Sequence, residues 1–211
     1  MQRWLIPLIL AFALGQPAVA ADYSVVIRNL AGQPVRDAVV TLKPVSSPGV
    51  TAPIHFSWPY AVAQQNIAFN PFVLVVPVGS SVNFPNKDNV RHHVYSFSPV
   101  KKFELKLYGR DESRSVTFDK PGIVAVGCNI HDQMIAYVVV VDTPFAAKTG
   151  ADGTVTLRGV PPGPASLVVW QPFMKTVKNQ VTKAVAIGPG GGSQTISVDL
   201  RPAPPAMSMG H

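Results

Sequence analysis

The chain has 211 residues, of which 47% are hydrophobic and only 14% charged, with a formal net charge of +7. Its 16 glycines and 21 prolines exclude a bundle of long helices and favour short strands joined by turns. A single cysteine excludes an intramolecular disulfide, and no stretch after residue 20 holds 18 apolar residues in a row, which excludes a polytopic membrane protein.

Residues 1–20, MQRWLIPLILAFALGQPAVA, read as an address rather than structure. Arg3 precedes an apolar run over 4–14, and Ala18 and Ala20 flank Val19 in an A-x-A pattern. This is the pattern of a secretory signal peptide cleaved after Ala20, which places the mature protein in the periplasm or outside the cell. The run is short for a span and contains Pro7, so stable membrane insertion is not expected. An exported protein usually pairs its cysteines, so a lone Cys128 points to chemistry. No long Lys/Arg run suggests a nucleic-acid partner.

In chain order, residues 23–30 alternate partly, and the turn at 31–34 leads to a strand over 35–42. Residues 43–70 are irregular. Strands are then predicted over 72–76, 81–84, 92–97, 103–107, 113–118 and 123–128. Residues 135–141 form one continuous apolar run, as expected of a fully buried strand. After Asp142, further strands are predicted over 154–157, 165–170, 181–187 and 195–200, divided by Gly/Pro turns. Residues 201–211 hold three prolines and no periodicity, and read as a disordered tail. So many short strands predict an all-β antiparallel sandwich, and no repeat of solenoid length is present.

The chemistry concentrates at residues 128–134, Cys-Asn-Ile-His-Asp-Gln-Met. Cys128, His131 and Met134 offer a thiolate, an imidazole and a thioether on one short loop between two strands. So soft a donor set selects copper over magnesium, calcium or manganese. A trigonal site needs a second imidazole from elsewhere. His92 and His93, 36 and 35 residues before Cys128, are both candidates. Two imidazoles, a thiolate and a weak axial Met make the blue-copper arrangement. Two imidazoles and a thiolate also suit zinc. A Cys–His pair can act as a nucleophile, but no third catalytic group or oxyanion loop accompanies it, so an enzyme is not expected.

Residues 79–94, GSSVNFPNKDNVRHHV, resemble the first half-site of plastocyanin-like cupredoxins, in which a Val-x-aromatic-x-Asn-x-Asp stretch leads to a ligand histidine. Residues 118–134, FDKPGIVAVGCNIHDQM, resemble the second half-site, and the Cys-x2-His-x2-Met spacing is similar to that of amicyanin, the blue-copper carrier of methylamine oxidation. The resemblance spans roughly residues 63–142. It departs from the pattern at His93, where the family often has Asn, and at Asp132, where amicyanin-like proteins have Pro. It implies a cupredoxin Greek-key β-sandwich over 60–142 with one type 1 copper ion at His92, Cys128, His131 and Met134. It implies a one-electron carrier between redox proteins, with a c-type cytochrome or an amine-oxidising dehydrogenase as partner. The family exposes its loop histidine through an apolar patch, for which Ile130, Ile135, Phe97 and Pro99 are candidates. A non-redox copper carrier or buffer is the competing reading.

Residues 25–42, VVIRNLAGQPVRDAVVTL, and 148–163, KTGADGTVTLRGVPPG, continuing to Trp170, are similar to the two halves of carboxypeptidase-regulatory-like (transthyretin-like) β-sandwiches. The expected organisation is a discontinuous small sandwich, 22–50 plus 143–200, with the copper domain inserted in one of its loops. Lys101, Lys102, Lys106, Arg110 and Arg114, mixed with Glu104, Asp111 and Glu112, read as a solvated strand pair. Met207, Met209 and His211 are soft donors in the tail.

Overall fold

The computed structural model describes residues 20–45 and 53–203. The signal segment, apart from Ala20, and the soft donors Met207, Met209 and His211 lie outside the described residues. The expected all-β sandwich class is the one the chain adopts. In chain order the strands are β1 (Ala21–Asn29), β2 (Val39–Pro44), β3 (Ala63–Gln64), β4 (Phe69–Asn70), β5 (Val73–Pro77), β6 (Ser80–Pro85), β7 (His92–Ser96) and β8 (Phe103–Tyr108). There follow β9 (Ser113–Phe118), β10 (Gly122–Cys128), β11 (Ile135–Val141), β12 (Ala146–Lys148), β13 (Thr154–Val160), β14 (Gly163–Trp170), β15 (Gln180–Ile187) and β16 (Gly192–Val198). A single 3-10 turn, Val177–Asn179, is the one helical element among the described residues.

Among the described residues, five sheets build three apolar cores. The sheets β13-β1-β16 and β12-β2-β14-β15 enclose the first. Alternation on β1 sends Tyr23, Val25 and Ile27 inward to meet Leu42, Leu157, Leu167 and Ile196. The five-stranded sheet β5-β11-β10-β7-β8 and the β6–β9 pair enclose the second, filled by Phe84, Tyr108, Phe118, Val126 and Met134. Each large apolar side chain removed from water there stabilises the fold by about 1.5–3 kcal/mol. The third core lies between them, where Val73, Val75, Val139 and Val141 meet Val39, Ala146 and Trp170.

That third core explains the uninterrupted apolar run of β11. Ala136, Val138 and Val140 face the second core, while Val139 and Val141 face the third. A strand covered on both sides has no solvent face to make polar. Strand β5 is buried at all five positions for the same reason. Aromatic rings close the seam: Tyr137 packs on Trp170 with centroids 5.3 Å apart, and Phe72 stacks on Phe173 at 6.1 Å.

Several expectations are corrected. The second strand starts at Val39 rather than at residue 35, because residues 35–38 carry the chain from one sheet to the other. Val35 N still donates to Ile27 O, Asp37 takes φ 57°, and Ala38 N turns to Thr149 Oγ1. The pairing is not purely antiparallel: β1–β16 and β5–β11 are parallel. The long stretches of chain between those partners supply the crossovers that parallel pairing demands. The irregular 43–70 stretch contains the two-residue strands β3 and β4, and β12 was not anticipated. Arg201, at the start of the expected tail, is tied down, its N donating to Phe173 O and its guanidinium to Pro172 O.

Glycine is required where strands nearly touch. A Cβ at Gly191, in the turn before β16, would lie 2.0 Å from Asp22 O, and its φ is +85°.

Candidate metal centre

Strand β7 decides which of the adjacent histidines turns inward. Alternation buries His92, Val94 and Ser96 and sends His93 and Tyr95 to the other face. The His93 ring lies against Glu104 across the sheet, Nε2 to Oε1 2.8 Å, and so takes no part in the cluster described next. His92 is fully buried.

Cys128 ends β10 directly opposite Val94 on β7, which places its side chain beside that of His92. Asn129 N continues the ladder by donating to His93 O at 3.0 Å. The chain then turns tightly: Met134 N donates to His131 O at 2.9 Å, and Cys128 N donates to Met134 O at 3.3 Å. These bonds fold residues 128–134 back on themselves and carry the His131 ring over to the cysteine. Cys128 Sγ lies 3.7 Å from His92 Nδ1 and 3.7 Å from His131 Nδ1. All three donor atoms lie within 4.8 Å of one another. The two rings are 5.0 Å apart and inclined by 57°. Met134 is buried in the same core as Cys128.

This triangle fits a metal. Bonds of about 2.3 Å to sulfur and 2.0–2.1 Å to nitrogen in one trigonal plane put S and N about 3.8 Å apart. One thiolate and two imidazoles are donors for copper or zinc, not for hard oxygen-seeking cations. The cluster is buried on the His92 and Cys128 side and half-open at His131.

Residues outside the triangle support it. His92 Nε2 lies 2.8 Å from Asp88 Oδ2. That carboxylate accepts backbone bonds from Asn66 N at 2.6 Å and Ile67 N at 3.1 Å. Asn86 Oδ1 accepts Asp88 N, and Asn86 Nδ2 donates to Val90 O and Tyr108 O. Burial pushes the Tyr108 phenol far above its ordinary pKa, so it stays protonated and donates to Phe84 O at 2.8 Å. Asp88 was part of the motif read from the sequence, but its place beside the ring was not foreseen. Its position four residues before His92 was the available signal.

The expected apolar patch is divided. Ile130, half exposed, lies on the ligand loop and Ile135 directly follows it. Phe97 and Pro99 lie beyond the opposite end of β7, where Phe97 packs on Tyr95 with centroids 4.9 Å apart. Five residues of extended strand separate Phe97 from His92, roughly 17 Å. Of the basic residues in and around β8 and β9, Lys101 pairs with Asp119, Arg110 with Asp111 and Arg114 with Glu112.

No family model matches the chain, and no curated protein matches its sequence. Among solved structures, its neighbours are cupredoxins. A purple cupredoxin from Nitrosopumilus maritimus is 19% identical, over 38% of this chain and 98% of its own, with a TM-score of 0.36. A reduced amicyanin variant is 26% identical, over 48% of this chain and 98% of its own, with a TM-score of 0.37. A copper-containing nitrite reductase from Thermus scotoductus SA-01 is 26% identical over 56% of this chain but only 28% of its own, with a TM-score of 0.39. The functional reading rests on the donor geometry instead.

Proposed function

We propose that this protein is a copper-binding electron carrier of the blue, type 1 kind. One ion would be held by His92 Nδ1, Cys128 Sγ and His131 Nδ1, with the thioether of Met134, buried in the same core, as a fourth, weaker donor. The observation that carries this reading is Cys128 Sγ set 3.7 Å from each of two imidazole Nδ1 atoms. Bound copper supplies a one-electron Cu(II)/Cu(I) couple.

The chain's own residues do the rest. Three donors come from one hydrogen-bonded turn and the fourth from the strand beside it, so the site is largely formed before loading and changes little between oxidation states. Burial of His92 and Met134 keeps water from the inner side. His131 is the half-open edge, flanked by Ile130, and electrons would pass there to and from protein partners without a bound organic substrate. The amicyanin-like spacing favours redox proteins as donor and acceptor, a c-type cytochrome or an amine-oxidising dehydrogenase among them, in the periplasm after cleavage near Ala20. Residues 60–142 would form the copper domain, inserted in a carboxypeptidase-regulatory-like sandwich made of 22–50 and 143–200.

The test is the visible spectrum of the mature protein with added Cu(II), alongside Cys128→Ala. An intense orange-red absorption that bleaches reversibly on reduction, and vanishes in Cys128→Ala, is expected. Colourless metal binding would replace this reading by a zinc or copper-buffer site, and no binding would overturn it.

A further inference from the structure

A ring with one nitrogen committed to the donor triangle must place its other nitrogen somewhere. For His92 that second contact is a carboxylate rather than a water or a backbone carbonyl: Nε2 lies 2.8 Å from Asp88 Oδ2, and the ring is wholly buried. A metal on Nδ1 would leave Nε2 as the nitrogen that carries the proton and donates to the carboxylate.

The carboxylate has little freedom of its own. Oδ1 accepts Asn66 N, and Oδ2 accepts Ile67 N as well as the ring. Both donors sit in the turn between β3 and β4, where Gln65 and Ala68 exchange backbone bonds. Asn66 and Ile67 take φ of 60° and 54°, a left-handed conformation that non-glycine residues seldom adopt and that is a clear outlier for a β-branched one. That conformation points two consecutive N–H groups at one carboxylate. The turn is in turn fastened to the loop carrying Asp88, because Lys87 N donates to Gln64 O.

We propose that Asp88 is a positioning residue for the metal centre: it fixes the orientation and tautomer of His92, lowers the site's reduction potential through its negative charge, and is held in place by the β3–β4 turn. This rests on the copper reading above. A carboxylate behind an imidazole raises the ligand's basicity and favours the more highly charged metal state. A hairpin of two-residue strands, outside the ligand loop, thereby acts on the redox properties of the site.

Asp88→Asn and Asp88→Ala separate the two roles. Asn can still accept the ring proton and the Ile67 N–H through its one oxygen but carries no charge and gives up the bond from Asn66 N, whereas Ala removes the acceptor. Two measurements on the full mature chain decide the matter: the midpoint potential of the copper-loaded protein, and the His92 tautomer in the metal-free protein by long-range proton–nitrogen NMR. The expected results are a higher potential with the blue absorption retained in Asp88→Asn, and loss of the single Nε2–H tautomer in Asp88→Ala. Cu(II) affinity should fall about 10–100-fold in Asp88→Ala. An unchanged potential in Asp88→Asn would overturn the electrostatic role. An unchanged tautomer in Asp88→Ala would overturn the positioning role. If the wild-type chain takes up no copper, the copper reading fails, and the metal-free NMR comparison still decides whether Asp88 sets the ring. If Asp88→Ala does not fold, Asp88→Asn decides the electrostatic role through the potential, and Asp88→Ser, too short to reach the ring, takes the place of Asp88→Ala in the tautomer measurement.

Discussion

The two sandwiches bury polar groups in different ways. In the one made of β1, β2 and β12–β16, the buried hydroxyl of Thr149 is fully used: it donates to Val35 O at 2.6 Å and accepts from Ala38 N at 3.0 Å. In the one made of β3–β11, His92 and Cys128 are buried with Nδ1 and Sγ facing each other and His131. A backbone-satisfied hydroxyl holds two strands together and has nothing left to offer. Nitrogen and sulfur donors that converge on one point, on a turn pre-formed by its own backbone bonds, are the signature of a ligand site. The same all-β architecture thus holds strands together in one place and gathers candidate metal donors in the other.

If that division is real, damage to the seam should uncouple the two sandwiches without touching the donors. Trp170 is buried on β14 and packs on Tyr137 of β11. Trp170→Ala should cost about 3–5 kcal/mol. Calorimetry should then show the melting of the β1-side sandwich separating from that of the copper-side one, while the visible absorption is preserved. A single transition shifted by a degree or two would mean the seam carries little.

A smaller effect should come from the backbone-satisfied hydroxyl. Thr149→Val keeps the shape but strands Val35 O and Ala38 N, both bonded to the hydroxyl in a buried setting. Leaving buried groups unpaired costs about 1–3 kcal/mol. A urea titration should detect that loss with the copper spectrum unmoved; a change in the spectrum instead would break the separation of roles drawn above.

The grouping of His92, Cys128 and His131 was more legible from sequence than the support around it, and the reason is locality. Cys128 and His131 lie three residues apart, so their convergence is a property of one turn. The choice of His92 over His93 follows from in–out alternation on β7, a period-two rule that any strand obeys. Strand β11 announced its two-sided burial through composition alone. The partners of strands were not legible: nothing in β5 or β16 says that its neighbour is parallel, since that depends on the route of the intervening chain. Strands β3, β4 and β12, two or three residues each, are too short to carry a period. The clamp on Asp88 was hidden for the same reason, because its donors lie 21 and 22 residues upstream in a turn whose left-handed residues are Asn and Ile rather than Gly. Phe97 and Pro99 misled because proximity in sequence to His92 on an extended strand means distance in space.

The smallest effect concerns the ion pair that also spans the two sandwiches. Lys43 Nζ, on β2, lies 2.6 Å from Asp142 Oδ1 and 2.8 Å from Oδ2, just past β11. The geometry is close, but both side chains are about half exposed, at 55% and 43%. Water and salt therefore share the charges, and holding a long lysine chain in one rotamer offsets much of the attraction. Exposed pairs of this kind are worth about 0–1 kcal/mol. Lys43→Ala should lower the melting temperature slightly at low ionic strength. The difference from wild type should shrink in about 1 M salt, where screening acts over about 3 Å. A loss as large as that of Trp170→Ala would reverse the assignment, making the seam electrostatic; a small, salt-sensitive loss places its strength in the aromatic packing of Tyr137 and Trp170.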